Sequence, residues 1–206
     1  MTHNSAKDAQ VDHPIHELLA VRYSPYAFDA RPVERSKLLS CLEAARWAAS
    51  SFNEQPWSFI VAGREDGDAF EGLLGSLVEA NQAWAGNAGV LILTVISRSF
   101  SRNDKPNRVA EHDLGLAAAN LTIQATALGL ASHQMAGVNL ARARQTYNIP
   151  DSHDPVTMIA LGYAADPASI SDEQLAERDR APRSRKPLAE FVFGGAWGQT
   201  APEAGG

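Results

Sequence analysis

Apolar and polar positions alternate along this chain with two different periods, and the changes of period mark out the elements. Ile15, Leu18 and Leu19 fall at helical spacing before Pro25 breaks the run, which predicts a first helix over residues 15–21. A second helix is expected over about 36–48, with Leu38, Leu39, Leu42, Ala45 and Ala49 on one face and Lys37, Glu43 and Arg46 mostly off it. Pro56 forbids further helix, and the aromatic and β-branched residues of 57–61 read as a strand. Phe70, Leu73, Leu74, Leu77 and Val78 predict an amphipathic helix continuing toward Trp84. Residues 90–96 are almost uninterruptedly apolar, the pattern of a central strand covered on both faces. The polar stretch 97–108 follows. From 109 to 129 the chain is apolar or small on nearly every side, as in a helix buried all round that stops at Gly129. Gly115, Ala117, Ala118 and Ala119 would allow close helix contact there, within one chain or between two. Beyond it the pattern predicts a loop over 131–139, a short helix over 141–147, a buried strand over 155–163 and a charged surface excursion over 166–180.

No repeat or second boundary interrupts this order, and 206 residues suit a single core. The boundaries expected are a disordered lead-in over 1–13, one domain over 14–193 and a tail over 194–206. A hydrophobic fraction of 45% and a charged fraction of 20% argue against disorder. A net charge of −6 gives no reason to expect nucleic acid or an anionic membrane as partner, and no apolar run approaches the roughly 20 residues of a membrane span. The first 13 residues lack the apolar stretch of a signal peptide. The single cysteine, Cys41, sits among Leu38, Leu39 and Leu42, the setting of a structural thiol, and fits a reducing cytoplasm.

No catalytic triad, carboxylate pair, CxxC, HExxH or Walker pattern occurs, so the chemistry must lie elsewhere. Ser50, Ser51, Asn53 and Gln55 form a polar turn between helix and strand, serving either a ligand or their own backbone. Arg22 and Ser24 follow the first helix, where Arg22 is either a cation at the helix C-terminus or an anion ligand. Arg178, Arg180, Arg183, Arg185 and Lys186 admit three readings: a solvated face, a polyanion patch or a phosphate grip. His133 is either a proton donor or a solvated loop residue.

Five ordered stretches resemble the FMN-dependent nitroreductase family. They are the RYSPYAF of residues 22–28 beside the family's RRSxRxF, the NEQPWSF of 53–59 beside NxQPWxF, the ASHQMAGVN loop, the segment around Gly162, and the RSRKPLAEFV of 183–192. The resemblance implies an α+β fold, a three-layer α/β/α sandwich with a mixed, largely antiparallel sheet, and a homodimer with flavin sites at its interface. It implies that Arg22, Tyr23, Ser24 and Tyr26 lie on the FMN phosphate and ribityl side, with Tyr26 where the family has a second basic residue. A phenol can donate one hydrogen bond but brings no positive charge, which Arg183 and Arg185 then supply. It further places Ser50, Ser51, Asn53 and Gln55 against the flavin and Asn81 near its ring. Gln134, Met135 and the backbone donors Ala136 and Gly137 lie beside flavin N5 and O4, Ala136 standing where many members have Glu.

The implied reaction carries a hydride from NADH or NADPH through flavin N5 to a nitroaromatic, quinone or similar acceptor by a ping-pong route, with no catalytic side chain. Relatives of this kind also carry out dehalogenation, enal reduction and flavin fragmentation. An FMN-binding storage module without turnover is the alternative outside enzymes.

Overall fold

The computed structural model describes residues 5–205. Its regular elements are α1 (Glu17–Val21), β1 (Phe28–Asp29), α2 (Arg35–Arg46), β2 (Trp57–Gly63), α3 (Asp68–Leu74), α4 (Glu79–Ala85), β3 (Val90–Ser97), α5 (Ala110–Ala127), β4 (Ala131–Met135), α6 (Leu140–Thr146), β5 (His153–Ala164) and α7 (Glu173–Arg180). The sheet runs β2-β3-β5, with β4 and β1 both along the free edge of β5, and every pairing is antiparallel.

Strand β3 explains the layering. Leu91 and Leu93 face one core with Phe70, Leu73, Trp84 and Met158, whereas Val90 and Ile92 face another with Cys41, Ala45, Leu121 and Ile159. A strand apolar at successive positions must be covered twice, by α3, α4 and α6 on one side and by α2 and α5 on the other. This is the α+β three-layer sandwich that the apolar pattern and the family resemblance imply. Between Leu93 and Val95 the β3–β5 register shifts. The hydroxyl of buried Thr94 accepts from Thr157 N–H at 3.0 Å and lies 3.0 Å from Thr157 O, so the irregularity leaves its polar groups bonded.

Four expectations need correction. The loop over 131–139 is in its first half strand β4, whose Ser132 and Gln134 face Thr122 of α5 while Met135 packs in the opposite core. Polar residues on both faces hid its period of two. The helix expected from Phe70 toward Trp84 is two helices. Gly75 follows α3, buried Ser76 bonds back to Gly72 O, and the Val78 N–H turns to Gly137 O at 3.0 Å. The excursion over 166–180 contains α7, capped by Asp172 and burying Ala176 and Asp179. Helix α5 is not buried all round, because Gly115, Leu116, Ala119 and Asn120 are exposed.

Ahead of α1 the chain touches the fold at Lys7 and Ala9, whereas residues 10–13 are exposed. Ala9 N–H donates to Ala20 O at 3.0 Å and the Lys7 ammonium to Arg178 O at 2.5 Å. Its first four residues lie outside those described. In the tail, Phe193 bridges to Thr200 and Ala201 is buried, whereas Trp197 is 90% exposed. Cys41 is fully buried, and burial pushes its thiol pKa up to about 11, as expected of a structural residue.

Gly89, just before β3, and Gly162 of β5 let three chain segments meet. A Cβ on Gly162 would lie 3.0 Å from Gly89 N and 3.1 Å from the Phe28 ring; one on Gly89 would lie 2.8 Å from Val33 Cγ2 and 2.9 Å from Arg31 O. Gly89→Ala is therefore expected to destabilise the fold by about 1 to 3 kcal/mol in urea unfolding. A midpoint equal to the wild type would refute this close approach.

Candidate functional site

Three guanidinium groups converge at the end of α1. Arg22 is the residue that caps this helix, its N–H donating to Leu18 O, and its side chain reaches Ser24 Oγ at 3.4 Å. Arg183 comes from the far end of the chain to donate to Arg22 O at 2.5 Å and to Ala20 O, and its buried Nε has no hydrogen-bond partner among the described residues. The Arg22 pKa is lowered by burial first and then by Arg183 and Arg185. That of Arg183 is lowered by burial and by Arg185, with Asp8 opposing. Both stay charged at any working pH, so like charges are held together. Among the described residues no carboxylate forms an ion pair with Arg22, Arg183 or Arg185. An anion brought to this point would relieve the repulsion and meet several donors at once.

The five-cation run is therefore divided. Arg180 pairs with Glu173 at 2.7 Å and Lys186 approaches Glu190 at 4.0 Å, both as surface charges. Only Arg183 and Arg185 join Arg22.

The residue that sets this geometry escaped the sequence reading. Asp179, 2% exposed, accepts from Tyr26 N–H at 2.9 Å and from Ala27 N–H at 3.0 Å. Burial raises its pKa, while those bonds and Lys7 act the other way. A buried carboxylate holding two backbone donors fixes the path of 25–27. On that path the Tyr26 ring meets Trp84 edge-on at 5.2 Å and His133 at 4.8 Å, and Trp84 and His133 are 4.5 Å apart. His133 Nδ1 donates to Pro25 O at 2.8 Å, because a carbonyl can only accept, and burial lowers the pKa of the imidazole. The lone histidine is thus a packed, neutral ring. The Tyr26 hydroxyl has no hydrogen-bond partner among the described residues, so the phenol packs instead of replacing the missing cation. Tyr23 lies with its ring 6.0 Å from the Lys7 ammonium, on the side of the segment ahead of α1.

One turn of α4 before Trp84, Asn81 Nδ2 donates to Gly137 O at 3.3 Å. A Cβ on Gly137 would lie 2.5 Å from that nitrogen and 2.8 Å from Val78 Cγ2, so a larger residue would push both side chains aside. The Ala136 and Gly137 N–H groups make no hydrogen bond to another loop or turn of the described chain. Gln134 donates to Thr122 at 3.2 Å on the α5 side of β4. The Met135 side chain is buried in the core, on the face of β4 opposite Gln134.

The polar turn of 50–55 stands apart. Phe52, Asn53 and Gln55 have φ of 54°, 56° and 52°, left-handed values that cost a non-glycine residue on the order of 1 kcal/mol each. Ser50 Oγ accepts from Gln55 N–H at 3.0 Å and Gln55 Nε2 donates to Asn53 O at 3.0 Å, so these two side chains serve the turn itself. Ser51 N–H donates to Asp113 Oδ2 at 3.0 Å, a buried carboxylate in the first turn of α5. The Ser51 and Asn53 side chains make no hydrogen bond among the described residues. No hydrogen bond or ring contact joins this turn to the Arg22, Asn81 and Gly137 side within the described chain. The candidate residues therefore fall into two candidate half-sites: the cationic cluster with the Asn81–Gly137 contact, and the strained polar turn.

The chain belongs to the Nitroreductase family, whose sequence model matches residues 19–163. It is 37% identical over 125 residues to an uncharacterized 15.4 kDa protein of Mycolicibacterium smegmatis, covering 61% of this chain and 82% of that one. A solved oxidoreductase containing FMN is 34% identical, with a TM-score of 0.86 over 93% of this chain and 96% of that chain. A nitroreductase family protein of Clostridium difficile 630, at 24% identity and a TM-score of 0.68 over 89% of this chain and 99% of that one, shares the fold.

Asp179→Ala should lower stability by about 3 kcal/mol in urea unfolding, since two backbone donors lose a charged acceptor inside the protein. An unchanged unfolding midpoint would show that water replaces the carboxylate and that 25–27 is held by other contacts.

Proposed function

We propose that this protein is an FMN-dependent oxidoreductase that takes reducing equivalents from NADH or NADPH and passes them to a nitroaromatic, quinone or similar small acceptor, acting as a cytoplasmic homodimer. The observation that carries the reading is the cluster of Arg22, Arg183 and Arg185, charged, mutually repelling and without an ion-paired carboxylate among the described residues. A phosphate monoester dianion matches its charge and its donors. FMN supplies, when bound, the N5 atom that takes a hydride from the nicotinamide and returns it to the acceptor in a ping-pong cycle.

The chain's own residues bind and orient. Arg22, Ser24, Arg183 and Arg185 hold the phosphate end. Asn81 fixes Gly137 through its carbonyl, leaving the Ala136 and Gly137 N–H groups to donate to the polar edge of the ring, where negative charge develops on reduction. Ser51 and Asn53 offer side-chain groups from the strained turn. With Ala at 136, only a main-chain donor acts there.

Two features support a second copy. The exposed Leu116 and Ala119 of α5 lie on a helix apolar on nearly every side. Nearby on α2, Leu39 and the 73% exposed Trp47 line a hollow of about 580 Å³ with Ala44 and Gln124. Large exposed apolar side chains around a hollow are typical of an interface, and the separation of the half-sites makes a neighbour's turn the natural complement.

A visible spectrum of the purified protein, followed by anaerobic mixing with NADH and separately with NADPH, tests the reading. Flavin bands that bleach on mixing are expected. Bound flavin that neither nucleotide reduces would favour a storage role, and a protein that takes up no FMN would refute the site. Arg183→Ala with Arg185→Ala should release FMN while leaving a dimer in sedimentation; stoichiometric flavin in the double variant would overturn the phosphate assignment.

A further inference from the structure

Phe52 is a large apolar side chain, 70% exposed, held at a left-handed backbone angle between Ser51 and Asn53. The Arg102 guanidinium lies 3.8 Å from its ring centroid, and Phe100 packs on it edge-to-face at 5.8 Å. Arg102 also lies 5.5 Å from the Phe100 ring. These residues come from the stretch between β3 and α5, which closes on itself through Phe100 N–H to Lys105 O at 2.9 Å and a bridge between Ser99 and Pro106. Glu54 ties it to the turn, accepting from Ser101 N–H at 2.7 Å. Arg102 itself makes no hydrogen bond and no ion pair among the described residues, although Glu54 is a neighbour of Phe52 in the turn. Stacking on an aromatic face fixes the plane of a guanidinium and leaves its in-plane N–H groups free for a second ligand.

We propose that Phe52 and Arg102 form the acceptor subsite of this protein and select a flat aromatic acceptor bearing a carboxylate. The inference rests on the reading that the 50–55 turn borders the flavin, because only then does an acceptor lying beside Phe52 meet the redox centre. The fork of Arg102 matches a carboxylate in two hydrogen bonds, and the exposed Phe52 ring gives the aromatic body an apolar surface beside it. The acceptor's charge is thus read at one end while the group to be reduced points away from Arg102. Glu54 and the closed hairpin hold the pair in place before any ligand arrives, which reduces the ordering cost of binding.

Benzoate and its neutral isostere benzamide, titrated into the FMN-loaded protein by calorimetry, separate charge from shape. Benzoate should bind at least about tenfold more tightly than benzamide, and Arg102→Ala should equalise the two, with Arg102→Lys recovering part of the difference. In turnover, Arg102→Ala should lower the ratio of kcat/KM for 4-nitrobenzoate over nitrobenzene about tenfold, through KM. Equal binding of the two probes by the wild type, or an Arg102→Ala loss shared equally by both, would overturn the proposal. So would a variant slowed in its reduction by NADPH with acceptor selectivity intact, since the guanidinium would then serve the nucleotide's phosphates. Failure of NADH and NADPH to bleach the flavin would sink the oxidoreductase reading instead, and the benzoate-to-benzamide ratio would still report on Arg102.

Discussion

The double burial of β3 and β5 is the constraint on which the rest depends. Both strands are apolar at successive positions, so neither face of the sheet can be left to water, and each must carry a helical layer. The layer of α3, α4 and α6 brings Trp84, and with it Asn81, against Tyr26, His133 and the end of β4. The layer of α2 and α5 brings Ala48 and Asp113, and with them the polar turn. The two groups of residues therefore hang from different layers of one chain, with the sheet between them.

Charge divides along similar lines. Asp179 and Asp113, both buried, hold backbone N–H groups and so fix the course of the two half-sites. The cations have the opposite arrangement, with Arg22, Arg183 and Arg185 held together and without ion-paired carboxylates among the described residues. Carboxylates used for position and arginines without a carboxylate partner suit the anion site proposed for Arg22, Arg183 and Arg185, because a neighbouring carboxylate would compete with an anion. Tyr26 fits this division. Where the resembling motif has a second basic residue, this chain has a ring packed on Trp84 and His133, which adds aromatic contact and removes one more repelling charge.

Much of this was legible in the sequence wherever period or motif dominated. The unbroken apolar run of β3 gave its double burial, and the long apolar helix gave α5. The arginine pair at 183 and 185 was legible through its motif. Three kinds of information were not. Strand β4 has polar residues on both faces, because one face meets Thr122 and the other the aromatic cluster, so no alternation marks it. Asp179 sits in a run of charges that reads as solvated, and only the tertiary approach of 26–27 gives it a buried role. The exposed Leu116 and Ala119 of α5 look like core in the sequence because they are apolar, and an apolar pattern does not mark which of its residues stay uncovered.

The turn at 50–55 joins these strands of argument. Three left-handed non-glycine residues in four positions cost on the order of 1 kcal/mol each, which the turn's own bonds offset in part: Gln55 to Ser50 and Asn53 through side chains, and Asn53 N–H to Ser50 O and Glu54 N–H to Ser51 O through the backbone. The remaining restraint is external and comes from two sides: Asp113 of α5 on Ser51, and the hairpin through Ser101 on Glu54. Phe52 stays 70% exposed because its backbone is fixed from both flanks, with Arg102 and Phe100 packed on its ring. The same hairpin carries Arg102 onto that ring, so the element that stabilises the strained turn also carries the cation beside it.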